Sequence, residues 1–121
     1  MQIINPATEE VIAQLQEDTA ETLSKKLEQL KQAQAAWYAV PLSQRVAVIR
    51  NFSALLKENI EELAKILTSE VGKPLQQSRN EVNGARNRIE WLTNNAEKYL
   101  SEEVMHSDEN ITEVIRYEPL G

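Results

Sequence analysis

The single histidine is the first candidate for chemistry in this chain. His106 stands beside Ser107 and Asp108, residue types that form nucleophilic triads. Neighbours in sequence do not form a triad by adjacency, because the fold sets the required geometry. A zinc site needs several His, Cys or carboxylate ligands at defined spacing, and the sequence around His106 supplies no such set. We therefore predict that His106 is a solvated loop residue.

Two pairs of adjacent glutamates are candidates for general acid–base chemistry. Glu61 and Glu62 form one pair, and Glu102 and Glu103 form the other. Such chemistry needs both carboxylates to face one substrate, whereas consecutive residues of a helix point in different directions. We interpret both pairs as parts of solvated faces and assign them no catalytic role.

A mildly basic stretch could in principle hold a phosphate group. Acidic side chains are interspersed in it, and the three glycines of the chain are too scattered to build a Gly-rich phosphate loop. We therefore expect an ordinary charged helix face and predict no cofactor-binding residue. The stretch contains Lys73, Arg79, Glu81, Arg86, Arg88 and Glu90.

Composition limits the classes of protein to which the chain can belong. Its 121 residues include no cysteine, so they supply no thiol nucleophile, thiolate metal site or disulfide. The formal net charge of −6 argues against binding to a nucleic-acid backbone. No apolar run approaches the roughly 20 residues of a membrane span, and no secretory signal is visible. We predict one domain, residues 1–121, in the cytoplasm, with neither nucleic acid nor membrane as a partner.

The elements that would position any site are a hairpin, four helices and a strand. Residues 1–15 place two short apolar arms around turn signals at 5–8, which predicts a β-hairpin. Residues 18–100 show apolar positions at helical spacing and predict helices. Residues 101–110 are polar and predict a loop or a ragged strand, and the β-branched run 111–117 predicts a strand. The chain should therefore be mostly α.

Capping residues predict where the helices begin and end. Asp18, with Glu21 three residues on, predicts a capping box at the first helix. Ser43 and Asn59 are the expected N-caps of the second and third helices. The run 72–74, Gly-Lys-Pro, ends the third helix, and its proline opens the fourth.

Three aromatic residues and one glycine lie inside the predicted helices. Trp37, Trp91 and Tyr99 are expected in the core or on half-buried surface. Gly84 costs about 1 kcal/mol relative to alanine in a helix interior, so it indicates close packing or a ligand.

The strand at 111–117 has no following element to cover it. Its backbone groups lack an internal partner apart from the short N-terminal hairpin, and exposed strand edges recruit other chains. We therefore expect self-association, and we expect the sequence to be part of a longer chain.

Five phrases in order resemble the N-terminal part of the NAD(P)-dependent aldehyde dehydrogenase family. Together they cover essentially the whole chain, and the E-x-G-K-P signature is the most specific of them. The closing phrase also resembles, more weakly, succinate-semialdehyde dehydrogenase-like members. The phrases are I-N-P-A-T at 4–8, A-A-W at 35–37, P-L-S-Q-R at 41–45, E-V-G-K-P-L at 70–75 and R-Y-E-P-L-G at 116–121.

This resemblance implies an α/β enzyme of which the present chain is a mostly α segment with about four helices. In that family the nucleophilic Cys, the general-base Glu, the oxyanion-hole Asn and the nucleotide-binding strands lie downstream of the last residue here. The implied partner is therefore the remainder of an aldehyde dehydrogenase chain, and NAD or NADP belongs to the full-length enzyme. Residues 101–121 resemble the hairpin that the family uses for oligomerisation. No residue of this chain is assigned a catalytic, cofactor-binding or metal-binding role.

The sequence departs from the family pattern at two places. Glu9 stands where the family usually has Gly, so the first turn is expected to differ in geometry. The helix at 81–91, which borders the substrate tunnel in relatives, carries Asn83, Arg86 and Arg88 where relatives are often more apolar. This second departure leaves the substrate open.

Two hypotheses of function follow from the sequence. The chain is either a non-catalytic segment of an aldehyde dehydrogenase, inactive alone, or a standalone helical interaction module. The reading frame after Gly121 discriminates them, since continuation into a Cys-containing motif supports the segment.

Overall fold

A computed structural model of the chain describes residues 1–120. The first element is the predicted hairpin, which is confirmed: β1 (Gln2–Ile4) pairs antiparallel with β2 (Val11–Gln14). The Asn5 side chain accepts a hydrogen bond from the backbone N–H of Ala7 at 2.9 Å and so closes the turn. Glu9 completes the turn with φ 63°, in the left-handed region that glycine adopts most readily. Glu9 therefore adopts a backbone conformation that suits glycine, the residue that the resembled family usually has at this position.

Four helices follow the hairpin, as predicted. They are α1 (Ala20–Ala39), α2 (Leu42–Glu58), α3 (Ile60–Val71) and α4 (Leu75–Leu100). Within residues 1–120, no helix combines the length and the apolar character needed to cross a membrane.

The N-cap of α1 differs from the prediction by one residue. Thr19, not Asp18, caps the helix, and its hydroxyl accepts from the backbone N–H of Thr22 at 3.2 Å. The hydroxyl of Thr22 accepts in return from the backbone N–H of Thr19 at 2.8 Å, so the capping box joins two threonines. Glu21 was the wrong partner because it lies one position too early in the first turn. Asp18 instead binds Lys26, with Nζ 2.7 Å from Oδ1.

The predicted N-cap of α2 is wrong, whereas Asn59 is the N-cap residue of α3 as predicted, without the expected side-chain hydrogen bond. Pro41 is the N-cap of α2 and offers no side-chain acceptor, so Ser43 lies within the first turn. Asn59 does mark the start of α3, but its Nδ2 donates to the carbonyl of Leu55 at 2.8 Å. The Asn59 side chain therefore closes α2 rather than capping α3.

The predicted stop between α3 and α4 is confirmed. Gly72 has φ 71°, and its N–H donates to the carbonyl of Thr68 at 2.9 Å. A Cβ on Gly72 would lie 2.7 Å from Cγ of Pro6, so the N-terminal turn packs directly against this stop. Pro74 precedes α4 as its N-cap. The I-N-P-A-T phrase at 4–8 and the E-V-G-K-P-L phrase at 70–75 are therefore in contact in the folded chain.

α4 packs along both α2 and α3, and this is where the core lies. Ala64 on α3 and Ser78 on α4 are fully buried, and the Ser78 hydroxyl lies 2.8 Å from that of Thr68. Small side chains at this contact allow the two helices to approach closely. Gly84 does not serve the same purpose, because nothing lies within 4 Å of the place of its Cβ.

The C-terminal strand has an internal partner, contrary to the expectation. β3 (Glu103–Ser107) pairs antiparallel with β4 (Thr112–Ile115) and bulges between Val104 and His106. The Asp108 carboxylate accepts from the backbone N–H groups of Asn110 and Ile111, each at 2.8 Å, and so forms the connecting turn. The second of the two alternatives for residues 101–110, a ragged strand, is therefore the correct one, and the sequence left the choice open because this polar, acidic stretch lacks the alternation typical of a strand.

Candidate docking surface

The structure pairs His106 with Asp108, whereas the hydroxyl of Ser107 pairs with Thr112, so the three side chains do not form a triad. His106 lies on β3 rather than in a loop, its side chain is exposed, and its Nε2 is 3.1 Å from Oδ2 of Asp108. The Ser107 hydroxyl lies 3.1 Å from that of Thr112. These contacts hold the β3–β4 turn together. The pKa of Asp108 is lowered, chiefly by the hydrogen bond from the backbone N–H of Asn110 and then by the one with His106.

Glu61, one member of the first glutamate pair, joins two helices. Glu61 on α3 accepts two hydrogen bonds from the guanidinium of Arg79 on α4, each at 2.8 Å. This fork-to-fork pair lowers the pKa of Glu61 and raises that of Arg79. A carboxylate held in this way joins two helices rather than acting on a substrate.

The second glutamate pair lies at the C-terminal hairpin. Glu102 forms an ion pair with Arg116, and Glu103 accepts a hydrogen bond from the hydroxyl of Tyr117 at 3.1 Å. The Glu103 carboxylate raises the pKa of Tyr117. Both glutamates thus connect β3 to the segment after β4.

Members of the basic stretch are occupied by partners within the chain. Lys73 forms an ion pair with Glu81, and Arg79 is bound by Glu61. Nη1 of Arg86 donates to Oδ1 of Asn83 at 2.9 Å, whereas its Nε is buried without a partner. Each of these three side chains thus has a polar partner within the chain.

The prominent surface feature is an apolar face on α1, which we call the α1 stripe: Leu23, Leu27, Leu30 and Trp37. Their spacing places them on one side of the helix. All four are exposed, by 56%, 53%, 69% and 45% respectively, and α1 contains no buried residue. Among the described residues, α1 shares no extensive contact with any other element. The stripe is therefore an apolar face that no other helix or strand of residues 1–120 covers extensively.

A second apolar surface lies at the end of α4. Trp91 and Tyr99 stack with ring centroids 6.0 Å apart, and Leu92 and Leu100 extend this face. The concavity that they line has a volume of about 420 Å³. Both rings are about half exposed, so this surface adds to the apolar area that residues 1–120 leave open to solvent.

The two apolar surfaces indicate what this part of the molecule can bind. The fully buried apolar side chain among residues 1–120 is that of Ala64, and large apolar side chains are exposed on every helix. Contiguous apolar patches of this kind mark sites of interaction with other protein surfaces. The apolar stripes had been visible in the sequence as helical periodicity, but periodicity alone does not say which of them stays uncovered.

The sequence is similar to that of known enzymes along most or all of its length. All of residues 1–121 match the model of the aldehyde dehydrogenase family. The chain is 36% identical to 3,6-anhydro-alpha-L-galactose dehydrogenase of Vibrio sp. (strain EJY3), over 94% of this chain and 23% of that protein. It is 31% identical to glutarate-semialdehyde dehydrogenase of Pseudomonas putida, over 100% of this chain and 25% of that protein.

Solved structures agree with the sequence matches. The fold superposes on the crystal structure of succinate-semialdehyde dehydrogenase from Burkholderia pseudomallei with a TM-score of 0.90 and 30% identity. That match covers 100% of this chain and 25% of the other. The chain thus spans about a quarter of the length of the relatives it matches.

Proposed function

The chain belongs to the aldehyde dehydrogenase family, and from that premise we propose that it is the N-terminal, non-catalytic part of such an enzyme. The complete enzyme would oxidise an aldehyde to a carboxylic acid with NAD or NADP. The observation that carries this proposal is the large uncovered apolar surface on a chain that spans 25% of its relative from Pseudomonas putida. The remaining length of the enzyme is the natural cover for that surface.

The residues present do not fit a nicotinamide dinucleotide. A dinucleotide site needs closely spaced glycines and backbone N–H groups facing the pyrophosphate. Gly72 is packed against Pro6, and Gly84 lies inside α4. Three of the four basic side chains of the stretch, Lys73, Arg79 and Arg86, have partners within the chain. We therefore assign the cofactor to the part of the enzyme outside this segment and derive no chemical step through it here.

The covalent step likewise belongs elsewhere. Aldehyde oxidation in this family uses a thiolate nucleophile, and these 121 residues include no cysteine. The role we propose for the chain is to support the active site through packing, with the isolated chain inactive.

The substrate class that we propose is a semialdehyde, an aldehyde that also carries a carboxylate. This rests on relatives named glutarate-semialdehyde dehydrogenase and succinate-semialdehyde dehydrogenase. Succinate semialdehyde is the first substrate to test in the complete enzyme.

Calorimetry with NAD and NADP, together with an absorbance assay for reduced nicotinamide, tests the proposal. We expect the pure chain to bind neither dinucleotide and to oxidise neither succinate semialdehyde nor glutarate semialdehyde. The Pseudomonas putida relative, assayed in parallel, is the positive control. Micromolar cofactor binding or turnover by the pure chain would overturn the proposal.

The exposed α1 stripe also supports a second candidate, a standalone interaction module with no enzymatic role. The two candidates differ in the partner that they require. A module would act in full without any other part of an aldehyde dehydrogenase.

A further inference from the structure

Asn83 and Gly84 are neighbours in α4, at a point where the packing of the molecule gives no reason for a glycine. Glycine weakens a helix interior, so a close contact with its bare backbone is the first explanation to test. Gly84 is exposed, and a Cβ at this position would have no contact within 4 Å among residues 1–120. What distinguishes the position is its neighbour, because Asn83 is the one asparagine of the sequence that precedes a glycine.

An asparagine that precedes a glycine loses its side-chain amide readily, with water as the sole co-reactant. The backbone nitrogen of Gly84 attacks Cγ of Asn83, the C–N bond of the side-chain amide breaks, and ammonia leaves a five-membered succinimide. Water then opens the ring at either carbonyl, which produces aspartate or isoaspartate. Glycine favours ring closure because it has no Cβ to hinder the attack and permits a wide range of backbone angles.

The conformation of α4 opposes this reaction in the folded chain. Both residues lie inside the helix, where the N–H of Gly84 donates to the carbonyl of Asn80. Ring closure requires Asn83 to leave the helical ψ of about −42° and Gly84 to give up that hydrogen bond. Asn83 is also half-buried, and its Oδ1 accepts from Nη1 of Arg86 at 2.9 Å, which holds the side chain in place. The reaction therefore requires α4 to open first.

We propose that Asn83 is a deamidation site that the folded α4 protects, and that its modification marks chains in which α4 has opened. α2 and α3 both pack on α4, so opening of this helix disrupts the bundle. Isoaspartate lengthens the main chain within α4 and breaks the regular spacing of its hydrogen bonds, so the modified helix does not fully reform. Aspartate keeps the main chain unchanged and places a carboxylate beside Arg86. This inference does not depend on the proposed function.

Peptide mass spectrometry of the chain, aged at mildly alkaline pH with and without urea and then digested at acidic pH, measures the modification. In urea we expect deamidation to be at least about tenfold faster at Asn83 than at Asn87, which precedes an arginine. Without urea, the rate at Asn83 should fall at least about tenfold, while circular dichroism shows the helices in place.

Each of the two rate comparisons can overturn the inference. Equal rates at Asn83 in the folded and unfolded chain would overturn the protection by α4. A rate in urea no faster at Asn83 than at Asn87 would overturn the site itself.

Two variants separate the chemistry of the site from its structural consequence. Gly84→Ala adds the hindering Cβ, so deamidation of Asn83 in urea should slow to the rate at Asn87; an unchanged rate would overturn the role of the glycine. Asn83→Asp has the same charge as the isoaspartate product and differs from it in the path of the main chain. We expect the purified isoaspartate form to unfold at a lower urea concentration than Asn83→Asp. Equal midpoints would overturn the claim that the modified helix does not fully reform.

Discussion

Replacing Gly72 by alanine tests the contact between the N-terminal turn and the end of α3. Two separate effects of the added Cβ lower the free energy of unfolding. The left-handed φ of 71° costs a residue with a Cβ about 1–2 kcal/mol. The same Cβ would lie 2.7 Å from Cγ of Pro6, and overpacking of this kind costs about 1–3 kcal/mol. We expect the free energy of unfolding to fall by the sum, about 2–5 kcal/mol.

Introducing Gly72→Ala into a Pro6→Ala protein separates the two costs. In Pro6→Ala the Cγ atom is absent, and the nearest remaining atom in line is the Cβ of residue 6, at 3.6 Å in the present structure. Gly72→Ala should then cost only the backbone term of about 1–2 kcal/mol. The difference between the two backgrounds measures the steric coupling, because the separate effect of P6A cancels in the cycle.

Urea unfolding followed by circular dichroism is the assay for all four proteins of the cycle. Gly84→Ala is the control, since it adds a Cβ in a helix interior with nothing within 4 Å, and should stabilise by about 0.5–1 kcal/mol. An equal cost of Gly72→Ala with and without Pro6 would refute the steric contact. A negligible cost of Gly72→Ala in both backgrounds would also refute the left-handed backbone conformation at residue 72.

Three further predictions concern the turn, an ion pair and the C-terminal hairpin. Glu9→Gly should raise the free energy of unfolding by about 0.5–1 kcal/mol, because φ at this position is 63°; urea unfolding would measure it, and no gain would argue against the left-handed turn. The pKa of Glu61 is held below its ordinary value of 4.5 by Arg79, so this pair contributes stability above that value that is lost as the pH falls through the lowered pKa. Arg79→Gln should therefore lower the urea midpoint near neutral pH, and its difference from the unmodified chain should shrink on acidification; a difference independent of pH would contradict the assignment. If the β3–β4 hairpin drives self-association, the mass measured by light scattering should rise with concentration, and Val114→Pro should reduce the rise without loss of helical signal, whereas a constant monomer mass would contradict the expectation.

The sequence was sufficient to predict elements whose signals are local. The stop at Gly72 follows from a residue that tolerates a positive φ and is soon followed by a proline, and the structure has that φ. The cap of α1 was displaced by one residue because Asp18 and Thr19 are both good caps. Only the reciprocal hydrogen bond with Thr22 decides between them.

Features that depend on contacts distant in sequence could not be predicted in the same way. β3 owes its extended form to pairing with β4 and to the turn at Asp108, while its own residues give no strand pattern. The periodicity of α1 predicts that its apolar face is buried, but the surface that covers it can lie anywhere in a longer chain. The short distance between Pro6 and Gly72 joins two phrases that are far apart in sequence. Each phrase had been interpreted as a separate local signal.

The activity of a chimeric enzyme most directly tests the claim that the chain is the N-terminal, non-catalytic part of an aldehyde dehydrogenase. Residues 1–121 replace the quarter of the Pseudomonas putida glutarate-semialdehyde dehydrogenase that they match, and NAD(P)-dependent oxidation of glutarate semialdehyde is measured. If the chain is the non-catalytic segment of such an enzyme, the chimera turns over while the isolated chain does not. A folded chimera that binds the dinucleotide but does not turn over, or an isolated chain that turns over by itself, would contradict the account.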